Sequence, residues 1–378
     1  CLLMGLSCRE AGGSSLLFGS GVNLLKSALT FAGLTCLFHA LIGLACLALD
    51  SHAFQSDKAH FFTRHAFAKS FLILSGAYLP FLVLAFPGNL CWDAIGQIEQ
   101  VIGGMPYSTH HPLFHTLIMG GLVKAGQALF HSPEIGLFAY MLLQDAALAA
   151  ALAATIAALS RRGASLGLLS AMLVLYCVTP VYSNMASTAL KDVPYASCMI
   201  VYVIWLALLL ERPERLGKRK FVLSFFFIQL GVILLRNNGL YVVVLSGIAS
   251  FLFLFRKYGT RQRILSLLAL FGGSAVTARL ILSLLAFACG ASPGSIGEMM
   301  SLPFQQTARY LQLYQDEIDG TEREGIQAVL GDVATVAAKY DPASADPVKA
   351  LFRKNASAGD LAAYLKAWSK GFTKHPGT

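Results

Sequence analysis

Residues 134–158 read EIGLFAYMLLQDAALAAALAATIAA, twenty-five positions with only two charged side chains, Glu134 and Asp145. A helix needs about 20 mostly apolar residues to cross the hydrocarbon core of a bilayer, and this stretch supplies them. Working outward, comparable runs lie at 24–49, 66–87, 165–182, 194–210, 221–235, 240–255 and 264–288, with 113–130 as a weaker ninth. The chain has 378 residues, of which 56% are hydrophobic and 13% charged, and its mean hydropathy is +0.62. A soluble globular domain carries about 25% charged residues, so an ordinary soluble protein is excluded. The expected fold is all-α, a polytopic transmembrane helical bundle.

The charges are unevenly placed. Residues 289–378 hold 19 of the 49 Asp, Glu, Lys and Arg, with 9 basic and 10 acidic, so the whole +9 excess belongs to residues 1–288. Two domains follow: a transmembrane body, 1–288, and a polar helical domain, 289–378, with helical stretches at Ala308 to Asp316, Glu322 to Tyr340 and Ala358 to Phe372. A basic excess beside apolar segments is the mark of cytoplasmic loops, which makes nucleic acid a poor partner for this chain. The 8 Cys include no CxxC pair, so neither a disulfide scaffold nor a zinc site is indicated. The chain opens on Cys1 and closes on Lys374-His375-Pro376-Gly377-Thr378, which reads as a fragment with a truncated C-terminal domain and at least one upstream helix missing.

Lys and Arg orient the spans. Lys58, Arg64 and Lys69; Arg161 and Arg162; Arg212, Arg215, Lys218, Arg219 and Lys220; and Arg256, Lys257, Arg261 and Arg263 form four clusters between spans, 14 of the body's 20 basic residues, and mark the cytoplasmic side. Loop 88–112, loop 183–193, the Arg236 turn and the C-terminal domain then share the opposite, extracytoplasmic side. An odd number of crossings must separate loop 88–112 from Arg161-Arg162. Residues 113–130, which carry His115 and Lys124, are therefore expected to be partly inserted or surface-lying, with 134–158 as the crossing.

Polar groups gather at the extracytoplasmic ends of the spans, where each needs a partner or a task. Loop 88–112 opens with Gly88-Asn89-Leu90-Cys91-Trp92-Asp93 and closes with Tyr107-Ser108-Thr109-His110-His111-Pro112. Asp93, His110 and His111 are candidate catalytic residues; the bland reading is that Asp93 caps a short interfacial helix and the histidines are wet loop residues. His110, His111 and His115 with Asp93 also raise metal ligation, disfavoured because no carboxylate sits at a ligand spacing. Leu190-Lys191-Asp192-Val193-Pro194 follows: Lys191 suits a lipid phosphate and Asp192 a hydroxyl, unless the two pair locally or Asp192 caps the next helix. In Leu235-Arg236-Asn237-Asn238-Gly239, Arg236 and Asn237 are candidate phosphate ligands, and Asn238-Gly239 reads as a tight turn. Asp145 and Arg279 lie within apolar runs, either paired across helices or, for Arg279, facing the same phosphate. In the C-terminal domain, Arg309 beside a helix start after Pro303 suits an anionic headgroup, or is a surface Arg on an amphipathic helix. Asn355-Ala356-Ser357 is a formal glycosylation sequon.

With Asp93 in the first long outer loop, Tyr107-Ser108-Thr109-His110-His111-Pro112-Leu113 opening the next helix, Leu190-Lys191-Asp192-Val193-Pro194, Leu235-Arg236-Asn237-Asn238-Gly239 and Leu302-Pro303-Phe304-Gln305-Gln306-Thr307-Ala308-Arg309-Tyr310, the chain resembles the GT-C superfamily of polytopic glycosyltransferases over residues 66 to 378. It looks closest to an uncharacterised bacterial family of that type. The resemblance implies sugar transfer from a polyprenyl-phosphate donor to a cell-envelope acceptor at the outer face of a bacterial cytoplasmic membrane. It makes Asp93 the general base or the acid that orients the acceptor, brings His110 and His111 to sugar or phosphate, and sets Lys191, Arg236 and Arg309 on the donor phosphate. Several branches pair two acids where Trp92-Asp93 is followed here by Ala94, which leaves a divalent cation open. The alternative is a transporter of lipid or polysaccharide precursor using the same cations.

Overall fold

The structure, a computed structural model, describes residues 21–48, 61–258 and 261–375. It is an all-α helical bundle of polytopic membrane type, and the chain divides into two compact units, Leu47–Pro293 and one containing Gly294–Thr378. In chain order the helices are α1 Gly21–Ala48, α2 Ala66–Leu84, α3 Trp92–Ile102, α4 Leu113–Phe130, α5 Pro133–Ser160, α6 Leu166–Val178, α7 Pro180–Ser187, α8 Asp192–Glu211, α9 Arg219–Leu235, α10 Gly239–Tyr258 and α11 Arg261–Cys289. The Gly294–Thr378 unit adds α12 Ile296–Met299, α13 Ser301–Tyr314, α14 Gly320–Leu330, α15 Val333–Ala338, α16 Asp346–Lys349 and α17 Ala358–Lys374. Among the described residues the one sheet is a two-residue parallel pair, β1 Asn89–Leu90 with β2 Thr188–Ala189.

Among the described residues six helices are long and apolar enough to cross a membrane, or seven if the bent pair α6–α7 is one span. Helices also occupy the expected runs 221–235 and 240–255. The run 165–182 is not one straight span. It bends by 52° at Thr179–Pro180, because Pro180 has no N–H to offer Tyr176 and holds Thr179 extended at ψ 119. The carbonyl of Tyr176 accepts instead from the Tyr78 hydroxyl of α2 at 2.9 Å. The run 240–255 lies within α10, a 20-residue apolar helix. Residues 113–130, set down as the weak candidate, qualify by length and composition.

Contacts within Leu47–Pro293 define two ends. At one, Ser160 donates to the Phe62 carbonyl at 2.8 Å and Arg162 pairs with Glu211 at 2.6 Å. Arg64, Lys69, Arg161, Arg162 and the Arg212–Lys220 cluster therefore share a basic end. At the other, Gly88 packs on Met141, Gln144 holds the Thr188 carbonyl, and Ser292 bonds Tyr107 and Thr109. The 19 residues of α2 and the Met141–Ser160 part of α5 each cover about 30 Å between these levels, the thickness of a hydrocarbon core. From the basic end the chain runs up α2, down α5, up α6–α7, down α8, up α9, down α10 and up α11.

Helix α4 packs along the first turns of α5. His115 meets Tyr140, Val123 lies against Gly136, and Gly126 abuts Gly136. As α4 advances it meets ever earlier residues of α5 and moves away from the Ser160 end. Pro133 at the first position and the Ser132 side chain accepting from Ile135 N start α5 abruptly, while His131 at φ 53 turns the chain between the two helices. The two helices thus form a tight antiparallel hairpin.

The Gly294–Thr378 unit has its own core, with Phe304, Leu311, Ile326, Val329, Val348 and Tyr364 at its centre. Capping boxes at Asp319/Glu322 and Ser357/Asp360 start α14 and α17. The expected single stretch from Glu322 to Tyr340 is interrupted because Gly331 takes φ 88 and Asp332 caps α15 by accepting from Thr335 N.

The α4–α5 crossing is glycine-to-glycine, and a Cβ on Gly136 would lie 2.7 Å from the Val123 Cα. Gly136→Val should cost about 1–3 kcal/mol through overpacking, read as a fall of several degrees in the unfolding midpoint of the detergent-solubilised chain.

Candidate functional site

The site is built where helices stop. Backbone that leaves a helix at membrane depth must find partners within the protein, and β1 and β2 find each other, with Asn89 opposite Thr188 and Leu90 opposite Ala189. Cys91 adds a thiol bond to the Ala189 carbonyl at 3.2 Å. This pairing sets the start of α3 beside the start of α8, and so joins residues 98 positions apart: Asp93 and Lys191 form an ion pair.

Asp93 lies in the first turn of α3, whose N-cap position is Cys91 and carries no side-chain cap. The capping alternative is therefore not realised, and the carboxylate is committed to Lys191. Lys191 also donates to His111 Nδ1 at 3.2 Å. An ammonium has no acceptor capacity, so Nδ1 is the unprotonated nitrogen and the His111 ring proton sits on Nε2. The His110 ring leans on that of His111 with centroids 4.3 Å apart. Burial pushes the Asp93 carboxyl up, but the hydrogen bond and charge of Lys191, helped by His111 and His110, hold it below the usual carboxylate range.

Asp192 does not pair with its neighbour Lys191 and does not cap α8, whose N-cap position is Lys191 with no side-chain bond. It forms an ion pair with Arg236, the residue that ends α9 in extended conformation. The Arg236 guanidinium also stacks over Tyr195 at 5.4 Å from the ring centroid. Asn237 donates to the carbonyls of Thr109 and His110, both at 3.3 Å, so it ties the Arg236 turn to the histidine loop. Ser292 N donates to the Tyr107 carbonyl and its own carbonyl accepts from Thr109 N, each at 2.9 Å. Seven of the eight residues expected to act together are thus assembled at one end of the bundle. Arg309 belongs to the Gly294–Thr378 unit, where it sits half-exposed in the third turn of α13 and away from that helix's N-terminus.

Sequence reasoning missed the floor of the site. Buried Gln144 donates to the carbonyls of Met185 at 3.0 Å and Thr188 at 2.7 Å, and its own carbonyl accepts from Leu190 N at 3.3 Å and the Tyr140 hydroxyl at 3.0 Å. Tyr140 having given its proton to Gln144, His115 Nε2 at 2.6 Å must donate to Tyr140. His115 Nδ1 then accepts from the Gln97 amide 2.8 Å away, with that amide turned to present its NH2. His115 is consumed by this network and is no ligand. Gln144 sits beside Asp145 in an apolar run, and a second polar residue there was the available signal. Among the described residues no group of three His, Cys, Asp or Glu side chains gathers as a metal ligand set.

Asp145 is buried with one carboxylate oxygen unpartnered, and Arg279 is exposed on α11, so the expected pairing of the two is not formed. Gln144→Leu should leave three backbone groups of the segment joining α7 to α8 unsatisfied, the Met185 and Thr188 carbonyls and the Leu190 N–H. At about 1–3 kcal/mol for each such group, thermal unfolding of the variant should shift down by more than that of Gly136→Val.

No curated protein and no solved structure matches the chain. A model of the family of unknown function DUF6020 matches residues 106–378, a stretch that holds His110, His111, Lys191, Asp192, Arg236, Asn237 and Arg309 and begins after Asp93. That match covers well over half of the sequence, and the chain belongs to the DUF6020 family.

Proposed function

We propose that the protein is a membrane glycosyltransferase, moving a hexose or pentose from a polyprenyl-phosphate donor to a cell-envelope acceptor at the outer face of a bacterial cytoplasmic membrane, with the Gly294–Thr378 unit extracytoplasmic. The observation that carries the reading is the Asp93–Lys191–His111 cluster beside Asp192–Arg236, at the end of the bundle opposite the basic loops. Lipid-linked substrates bring a charged phosphate to that level while their chains stay in the bilayer. The acceptor hydroxyl attacks the anomeric carbon, the bond from that carbon to the phosphate oxygen breaks, and polyprenyl phosphate leaves with the electron pair. The hydroxyl proton goes to Asp93. A phosphate arriving at Lys191 competes for the ammonium and frees the Asp93 carboxylate, so donor binding arms the base. Arg236 stabilises the charge on the leaving group, His110 and His111 hydrogen bond sugar or phosphate, and Asn237, whose amide hydrogens are given to the Thr109 and His110 carbonyls, positions the histidine loop instead of binding phosphate.

The competing reading is a transporter of lipid or polysaccharide precursor. The observation in its favour is the helix bent at Thr179–Pro180, since discontinuous helices line many transport sites.

Membranes bearing the full chain should transfer radiolabelled sugar from at least one member of a panel of polyprenyl-phosphate sugars. Asp93→Ala should reduce the rate by about a hundred- to ten-thousandfold, and a chelator arm decides the need for a divalent ion. Movement of unmodified lipid without transfer would establish the transporter instead.

Because Lys191 outweighs burial at Asp93, the carboxylate is ionised throughout the neutral range and the acid limb of the rate profile should lie below the ordinary carboxylate range. Its contribution to stability is present above the unfolded value and is lost as pH falls through the lower folded one. Lys191→Met removes the main lowering influence and leaves burial opposed only by His111 and His110, so the acid limb of the residual activity should move to higher pH.

A further inference from the structure

Helix α11 buries Leu267, Leu270, Phe271, Ser274 and Ala278 and turns the opposite face outward, with Leu268, Val276, Leu280 and Leu284 each more than half exposed. Such a stripe on a membrane-crossing helix faces lipid. Arg279 lies within it, exposed, and its side chain has no hydrogen bond or ion pair among the described residues. A shallow open groove runs past it, lined by Ala275, Val276, Arg279, Leu280 and Ser283.

The height of Arg279 follows from one hydrogen bond. Ser274 donates to Gln229 of α9 at 2.6 Å, and α9 and α11 both run toward the site end. Arg279 is five residues beyond Ser274, about 7.5 Å; Arg236 is seven beyond Gln229, about 10.5 Å. The guanidinium therefore leaves its helix within about one turn of the level of the Asp192–Arg236 pair, but on the outside of the bundle. A charged side chain facing hydrocarbon costs about 2.5–3.5 kcal/mol on insertion scales, and a phosphate at that height removes the penalty through charge-assisted hydrogen bonds.

We propose that the outward face of α11 around Arg279 is a binding site for an anionic glycerophospholipid of the surrounding bilayer. Arg279 and the Ser283 hydroxyl, one turn nearer the site end, take the headgroup phosphate. Ala275 and Val276 take the acyl chain below it, and Leu280 flanks the phosphate. The assignment concerns a surface outside the candidate active site and stands whether or not the chain transfers sugar. The bilayer is the committed source because the stripe continues as exposed apolar surface on both sides of Arg279.

The test uses the full chain in phosphatidylcholine nanodiscs, with retained phosphatidylglycerol counted by native mass spectrometry and polyprenyl monophosphate in a parallel arm. Arg279→Gln should lower retained phosphatidylglycerol at least fivefold, Val276→Trp should do the same by filling the groove from an exposed position, and Arg279→Lys should retain part of the binding. Arg236→Gln should leave phosphatidylglycerol unchanged. Unaltered phosphatidylglycerol retention in folded Arg279→Gln and Val276→Trp overturns the proposal. So does a change in association state with lipid retention unchanged, which would make the face a contact between copies, and so does a loss confined to the polyprenyl monophosphate arm.

Discussion

A chain that leaves the helix inside a membrane protein must satisfy its exposed backbone from within, and Gln144 is the side chain on which that obligation falls here. Its amide holds Met185 and Thr188 by their carbonyls and Leu190 by its N–H. Without it, the segment that joins α7 to α8 would present unpaired groups to a low-dielectric interior, where each costs several kcal/mol. The same amide accepts from Tyr140, which through His115 and Gln97 reaches the helix that bears Asp93. One buried amide therefore fixes both partners of the Asp93–Lys191 pair, on elements far apart in sequence.

The two ion pairs of the site divide the labour of two acids and two cations. Lys191 is mostly covered, with its side chain 16% exposed, while Asp93 is about half exposed at 49%. The cation is thus held more firmly than the acid, and an anion approaching from the open side meets Lys191 across a carboxylate that can yield. Arg236 and Asp192 are similarly exposed, at 41% and 46%, and such pairs contribute little to stability. Their arrangement is better accounted for by what they present than by what they hold together, since Arg236 is already positioned by Tyr195 and by the bonds Asn237 makes to the histidine loop.

The bundle was legible in the sequence because hydropathy over about 20 residues is a local property, and most apolar runs are helices at the expected places. Cross-chain pairing is not local. Charge parity brought Asp93, Lys191 and Arg236 to one side, but nothing in Lys191-Asp192 as a dipeptide says that its two charges point to different partners. The bend at Thr179–Pro180 was signalled by the proline and hidden by the apolar residues around it. Gly331, flanked by Leu330 and Asp332, carried the turn chemistry that divides α14 from α15 and was overridden by the helical pattern on either side. Arg279 was placed in an apolar run correctly; whether it faced the interior or lipid depends on the phase of a helix that is apolar nearly all round, and periodicity carries no such information there.

In the α4–α5 hairpin much of the apolar surface is spent on helix–helix packing. With 28 residues, α5 is about 42 Å long, some 12 Å more than a hydrocarbon core requires. That surplus is eight residues, Pro133 to Tyr140, and it is the part against which α4 packs. The apolar side chains of α4 are spent in the same way, since Met119 and Val123 are buried with Leu137, Tyr140 and Met141, and Gly120 abuts Val101 of α3. A helix whose apolar surface is already covered by α3 and by the overhanging turns of α5 gains nothing further from lipid on those faces. The polar residues of the segment fit the same account, with His115 satisfied inside the network and Lys124 exposed. The hairpin stands as a wall beside the site, and the loop that opens it carries His110 and His111.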